Sequence, residues 1–159
     1  MTVITSEPAL LKSEYLSFFI QDKRVAVPIS YCREVNKTIR ITKVPHASAF
    51  ISGIVNLRGE IVVAIKLAKL LNFPEDNQVN LSEEKMQLVR LQLENENLIL
   101  CIDRVEDIIT IEESEIESAN GRFDESLNDV IDKVGYYEEE LVLLLNPHKL
   151  FNKIKEKKK

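Results

Sequence analysis

Short runs of apolar or alternating residues, divided by polar breaks, dominate the chain and predict β-strands. The runs lie at residues 15–20, 25–29, 39–45, 53–67, 86–93, 98–102 and 141–145. Residues 86–93 alternate with the two-residue period of a half-buried strand, and a turn at 58–59 splits residues 53–67 into a hairpin. Pro28 has no amide proton to donate, so it is expected at the edge or the end of a strand. The pattern favours an all-β fold built from hairpins.

The segments between these runs predict little helix. Short helical turns are expected at residues 30–35, 47–52 and 67–73. The second turn is closed by Gly53, and the third stops before Pro74. Residues 74–84 are polar and turn-rich, which is typical of a linker. Residues 112–128 are acidic and poor in apolar side chains, so they predict a surface loop with a short helix near its end.

The second half of the chain repeats the first. Residues 15–20 align with 88–93 at an offset of 88 − 15 = 73, and the following strand aligns at the same offset. Later runs align at 141 − 61 = 80, which places residues 61–65 on 141–145. Chance similarity of apolar runs is the alternative, but the repeated order of hairpin, turn, and final strand with helix favours a duplication.

A duplicated set of short strands predicts two small antiparallel barrels with short helical turns. The predicted organisation is an N-terminal tail at 1–13, a first barrel with its linker at 14–84, a second barrel at 85–151 and a basic C-terminal tail at 152–159. The tail is interpreted as solvated, without a function of its own.

The amino-acid composition disfavours two classes of protein, those that bind nucleic acid and those that span a membrane. Hydrophobic residues make up 45% of the 159 residues and charged residues 30%, which is typical of a soluble globular protein. The net charge is −5 and the folded part has no basic patch, so nucleic acid is disfavoured as a ligand. The apolar runs are far shorter than the roughly 20 residues of a membrane helix, and the N-terminus lacks the pattern of a secretory signal. A cytoplasmic protein without membrane insertion is expected.

Catalytic chemistry finds little support in the residue pattern. Cys32 and Cys101 lie among apolar residues and are expected to be reduced, buried thiols. His46 and His148 stand far apart without metal-binding spacing, and no motif supports a pair of Cys32 with His46. The few glycines form no phosphate-binding motif. The sequence therefore predicts no catalytic, metal or cofactor site, and a protein that is not an enzyme.

The hairpin turn at 58–59 is where the two halves differ most. The first turn carries Asn56, Arg58 and Gly59, and the offset of 80 places Tyr136, Glu138 and Glu139 at the second. Because the planar fork of arginine binds carboxylates, the first turn is a candidate recognition site, with Glu34 as a possible acceptor within the chain. The alternative is that Arg58 only ties the turn to its own barrel.

A family resemblance rests on three segments: GIVNLRGEIV at residues 53–62, REV at 33–35 and IDRVEDI at 102–108. Together they resemble the CheW family of chemotaxis coupling proteins, and the resemblance runs over residues 15–151. The first segment alone would also admit the regulatory domain of the CheA kinase or the front half of CheV, but 159 residues leave no room for a kinase or a receiver domain.

The resemblance implies two five-stranded SH3-like barrels packed side by side, in agreement with the duplication. It implies a non-catalytic adaptor without cofactors that joins the cytoplasmic tip of a chemoreceptor to the regulatory domain of a CheA-type histidine kinase. Such adaptors act in the cytoplasm at membrane-associated receptor arrays, and rings with further CheW copies are a third kind of contact that the resemblance allows.

The resemblance also carries site residues over by position. It places receptor contacts at Cys32, Glu34, Val35, Asn56, Leu57, Arg58 and Gly59. It places a kinase-facing surface at Pro45, His46, Ala49, Phe50 and Gly53.

Departures from the family pattern leave the partner open. The family commonly reads PVVDL after the hairpin, where this chain has Val63 for the proline and Lys66 for the acid. An adaptor for a non-chemotactic receptor–kinase pathway is therefore an alternative. A small barrel that binds single-stranded nucleic acid is an alternative from another class, although the acidic composition and the lack of stacking aromatics disfavour it.

Overall fold

The secondary structure is dominated by strands, which confirms the predicted all-β class. The structure is a computed structural model that describes residues 12–36, 40–74 and 86–157. The strands within these ranges are β1 Lys12–Ile20, β2 Lys23–Pro28, β3 Cys32–Asn36, β4 Ile51–Leu57, β5 Glu60–Lys66, β6 Gln87–Leu93, β7 Glu96–Ile102, β8 Arg104–Glu112, β9 Ile116–Ser118, β10 Ile131–Tyr137 and β11 Glu140–Leu145. The helices are α1 Leu67–Leu70, α2 Glu125–Asn128 and α3 Pro147–Lys157.

Each of the two sheets takes strands from both halves of the chain. Sheet A has the order β8-β1-β2-β11-β10-β9, and sheet B has the order β3-β6-β7-β5-β4. The β1–β2 hairpin thus joins the late strands, and the β6–β7 hairpin joins the early ones. Parallel pairings of β2 with β11 and of β7 with β5 fix the exchanged hairpins. The predicted boundary between residues 84 and 85 therefore does not separate the two sheets.

The exchange of hairpins is symmetric and follows the repeat in the sequence. Phe18 of β1 pairs with Val105 of β8. In the repeat, Leu91 is the counterpart of Phe18, and Cys32 is the counterpart of Val105. These two counterparts also pair with each other, Leu91 of β6 with Cys32 of β3. Both pairings are followed by an irregularity in register at equivalent positions. The strand pairing therefore repeats along with the sequence.

Three apolar clusters show that each sheet is buried on both faces. Neighbouring residues of a strand point to opposite faces, so Leu16 and Val89 enter the large cluster between the sheets while Tyr15 and Leu88 enter separate ones. The cluster around Leu88 belongs to sheet B, and the cluster around Tyr15 belongs to sheet A. Two barrels with their own cores thus share a third core at their interface.

A bent segment closes the barrel of sheet A. β8 lies at one edge of the sheet and β9 at the other, although only the 3-10 turn Glu113–Glu115 separates them along the chain. The prediction of a loop over 112–128 missed β9, because its backbone pairs with β10 while its acidic side chain at Glu117 stays exposed. The helix predicted near the end of that segment is confirmed as α2, whose first turn is capped by the Asp124 side chain.

Two predicted helical turns differ from the structure. Only the 3-10 turn Ile29–Tyr31 is helical in the first, and residues 32–35 belong to β3 because pairing with β6 satisfies their backbone. The second is not helical: residues 47–50 contain no helix, and β4 begins at Ile51. Pro28 is the last residue of β2, as predicted. The alternating residues 40–45 form only a bridge between Thr42 and Ile54.

The C-terminal segment is a helix rather than a tail. α3 runs to Lys157 because Leu150, Phe151 and Ile154 pack into the core between the sheets. Most of the predicted N-terminal tail, nearly all of the predicted linker and the last two lysines lie outside the described residues.

Candidate functional site

The two segments predicted to contact a receptor approach each other in sheet B through Arg58 and Glu34. They come from β3, at one edge of the sheet, and from the turn between β4 and β5, near the other edge. The curl of the sheet brings Arg58 Nη2 within 3.8 Å of Glu34 Oε2. The acceptor expected for Arg58 is thus the residue that it contacts.

The β4–β5 turn directs Arg58 away from the barrel. Leu57 pairs with Glu60, so the loop consists of Arg58 and Gly59 alone, with φ values of 54° and 88°. Positive φ at both central residues is typical of a type I′ turn, whose twist matches that of a hairpin. The Gly59 N–H donates to Asn56 Oδ1 at 2.9 Å and closes the turn. The Arg58 side chain is left 84% exposed.

The equivalent turn in sheet A has the same backbone and the opposite charge. Glu138 and Glu139 are the counterparts of Arg58 and Gly59 in the repeat, and they have φ values of 49° and 67°. The duplicated hairpin therefore dictates the shape of both turns, since the two sequences adopt it alike. The duplicated hairpin does not determine the side chain, because only the first turn carries an arginine.

Glu34 lies between two guanidinium groups. Its Oε1 is 3.5 Å from Nε of Arg90, which faces it from β6 across the sheet. Glu34 and Arg90 are half-buried, whereas Arg58 is exposed. An exposed ion pair stabilises a protein by about 0.2–1 kcal/mol, so Glu34 restrains Arg58 only weakly. Sequence reasoning missed Arg90, because its only signal is a polar position in β6 and the exchanged pairing with β3 was not predicted.

The apolar residues of the predicted site differ in accessibility. Val35 is 41% exposed on β3. Leu57 packs partly against the core of the sheet B barrel, and Cys32 packs partly against the core between the sheets. Cys32 is therefore half-buried rather than buried, which corrects the prediction, whereas Cys101 is buried as predicted, and the two cysteines form no disulfide. Val35 has the largest exposed fraction of the three.

The Cys32 thiol is expected to react slowly near neutral pH. Burial raises its pKa from 9.0 to about 11, and the charge of Arg33 opposes this only in part. The reactive species is the thiolate, so a pKa of about 11 in place of 9.0 lowers the reactive fraction at pH 8 by about two orders of magnitude. We expect native protein to react with a disulfide reagent about 100-fold more slowly than protein in denaturant at pH 8, with a rate that rises up to about pH 11.

A Cys32→Ser variant separates this signal from that of buried Cys101. Equal rates for native and denatured protein at pH 8 would contradict the prediction.

The residues predicted to face a kinase divide into an exposed and a buried set. Pro45, His46 and Ala49 are exposed in the segment that precedes β4. Phe50 is buried in the core between the sheets, and Gly53 is buried in β4 against the backbone of Thr42. A partner cannot reach these two side-chain positions, so any effect they have on binding passes through the exposed segment.

A cleft of about 620 Å³ lies at one end of sheet A and is lined by three lysines and three acids. Its lining therefore has no net charge to select an ionic ligand. Within the described ranges, no group of three or more His, Cys, Asp or Glu side chains is arranged to hold a metal ion. No helix in the described part of the chain is both long enough and apolar enough to cross a membrane.

Comparison with known proteins places these features in a family. The model of the CheW-like domain matches residues 14–155. The chemotaxis protein CheW of Bacillus subtilis is 26% identical over 136 residues, which cover 86% of this chain and 85% of that protein. The chemotaxis protein CheW of Thermotoga maritima is 29% identical over 117 residues, which cover 73% of this chain and 74% of that protein.

A solved structure agrees in fold. The crystal structure of the scaffolding protein TtCheW from Thermoanaerobacter tengcongensis superimposes with a TM-score of 0.75 and 22% identity, covering 86% of this chain and 90% of that one. The predicted pair of SH3-like barrels is confirmed by this match and by the two curled sheets. Because the family model covers nearly the whole chain, the protein belongs to the CheW-like family.

Proposed function

We propose that the protein is a non-catalytic chemotaxis adaptor that couples chemoreceptors to a CheA-type histidine kinase in cytoplasmic receptor arrays. Membership of the CheW-like family supports this role. The observation that carries the site is the geometry of Arg58, which projects from a two-residue turn, is 84% exposed and, among the described residues, is held by one 3.8 Å ion pair. Such an adaptor transmits a signal by binding its partners with affinities that depend on their state.

The receptor is assigned to the surface formed by β3 and the β4–β5 turn. Arginine presents a planar fork that binds carboxylates in two places at once, and Arg58 is accessible to a partner. Val35 adds an exposed apolar side chain on the same sheet. Arginine is one of the residue types that concentrate binding energy at protein interfaces.

The kinase regulatory domain is assigned to the exposed segment that contains Pro45, His46 and Ala49. This segment precedes β4, and the bridge between Thr42 and Ile54 attaches it to sheet B. The two partner surfaces thus lie on different parts of one barrel. An adaptor needs such separate surfaces because it must hold both partners simultaneously.

An Arg58→Ala variant is expected to bind a purified receptor-tip fragment about 10- to 30-fold more weakly than the wild-type protein does. The estimate corresponds to the loss of one exposed interface arginine worth roughly 1.5–2 kcal/mol. Its affinity for the CheA regulatory domain should not change. Its free energy of unfolding should stay within about 0.5 kcal/mol of wild type, since an exposed ion pair contributes little. Calorimetric titration and urea denaturation measure these quantities.

Arg104→Ala is the matched control, because Arg104 is also exposed and forms an ion pair with Glu106 at 3.0 Å on the other sheet. Equal weakening of receptor binding by both variants would place the site elsewhere. A large loss of stability in Arg58→Ala would show that Arg58 ties the turn to its own barrel. Failure of the wild-type protein to bind either fragment would overturn the proposed function.

A further inference from the structure

Arg90 is the most enclosed member of the charged group at the end of sheet B. It stands directly opposite Glu34 in the pairing of β3 with β6. Its side chain is 20% exposed, and its Nε lies 3.5 Å from Glu34 Oε1. That Nε forms no hydrogen bond within the described residues, so the contact is an ion pair. Arg90 thus contacts the Glu34 carboxylate from a much less exposed position than Arg58 does.

The group carries more positive than negative charge. One carboxylate, Glu34, is shared by two guanidinium groups, one on each oxygen. A carboxylate that one cation already holds attracts a second cation less strongly, because the two cations repel each other. Arg58 is therefore left with unused capacity to bind an anion.

The ion pair between Arg90 and Glu34 has no counterpart in the other half of the duplication. The repeat aligns Ser17 with Arg90 and Asp107 with Glu34. There the Ser17 hydroxyl donates to the backbone carbonyl of Asp107 at 2.7 Å and accepts from its N–H at 3.3 Å. A neutral serine at the register irregularity thus connects β1 to β8 in sheet A. The duplicated fold alone therefore does not explain the arginine in sheet B.

We propose that Arg90 is a positioning residue that engages Glu34 and so leaves the fork of Arg58 available to a carboxylate of the partner. This rests on the proposed assignment of the receptor to the β4–β5 turn. Without Arg90, both oxygens of Glu34 can turn to Arg58. Glu34 then competes with the carboxylate of the partner for the Arg58 guanidinium group. Arg90 acts through Glu34 and does not touch the partner itself.

The test compares Arg90→Met and Arg90→Lys in the wild-type background and in a Glu34→Gln background. Arg90→Met should weaken binding of the receptor-tip fragment about tenfold in the wild-type background, and Arg90→Lys should restore most of that loss because it keeps the charge. In the Glu34→Gln background, Arg90→Met should change the affinity less than about twofold. Equal losses in both backgrounds, or no loss in either, would overturn the proposal.

A second readout does not depend on the receptor. The Arg58 Nε–H resonance of the partner-free protein should shift in Arg90→Met, because Arg58 then pairs more closely with Glu34. It should stay in place in Arg104→Met, the control on the other sheet. A resonance that does not move in Arg90→Met would overturn the positioning role. If the resonance moves but the wild-type protein does not bind the receptor tip, the positioning role stands and the proposed function fails.

Discussion

Fragments 1–84 and 85–159, produced separately, are expected to show no cooperative unfolding, and an equimolar mixture is expected to regain it. The first fragment contains β1 and β2 of sheet A together with β3, β4 and β5 of sheet B. The second contains the complementary strands of both sheets. Neither fragment can complete a sheet, and an incomplete sheet leaves unpaired backbone groups and an unburied apolar face.

The apolar residues of the β1–β2 hairpin explain why the effect should be large. Phe18, Ile20 and Val25 are fully or almost fully buried in the core between the sheets. Strands supplied by the other fragment flank this hairpin on both sides, β8 on one edge and β11 on the other. In isolation the hairpin would expose these side chains, each of which contributes about 1.5–3 kcal/mol when buried. Circular dichroism and urea denaturation of each fragment and of the mixture measure the outcome.

The control is the same cut made after folding. A protease site placed between residues 84 and 85 allows the folded chain to be cleaved, and the nicked protein should remain assembled with its strand content intact. If fragment 1–84 unfolds cooperatively as a monomer, its strands can pair among themselves and the exchange of hairpins is not required for folding.

The alternation of apolar and polar residues is enough to predict most strands, but not their neighbours. A two-residue period tells which face of a strand is buried, and it contains no information about which strand lies beside it. For that reason residues 86–93 are correctly predicted as a strand and assigned to the wrong barrel. The duplication correctly predicts which segments are equivalent, because equivalent strands pair in the same way in both sheets. It does not predict that the two halves exchange their first hairpins.

The sequence predicts only part of the candidate site, again because it contains no information about which strands pair. Arg58 and Glu34 both lie in early segments with turn signals, so their proximity can be inferred from chemistry alone. Arg90 cannot be found in this way, because its relation to Glu34 depends on the pairing of β3 with β6. Phe50 is expected at a partner surface, yet it is 6% exposed, because the segment before β4 turns its aromatic side chain inward to fill the core.

Gly53→Ala is expected to lower the free energy of unfolding by about 3 kcal/mol, which is near the upper end for a single substitution. Gly53 has a φ of 153°, a conformation that residues with a Cβ rarely adopt. A Cβ built at this position would lie 2.3 Å from the carbonyl oxygen of Thr42. That oxygen also accepts a hydrogen bond of 2.8 Å from the Ile54 N–H. The methyl group must therefore push away the backbone segment that is bonded to β4.

Gly59→Ala is the control that separates steric conflict from backbone strain. Gly59 also has a positive φ, at 88°, but a Cβ there would have no neighbour within 4 Å. It should cost only about 1 kcal/mol, the usual penalty of a left-handed conformation. Urea denaturation of both variants measures the difference, and equal losses would contradict a specific role for the contact with Thr42. Because that segment leads to Pro45 and His46, Gly53→Ala should also weaken binding of the kinase regulatory domain, although no partner can touch Gly53 itself.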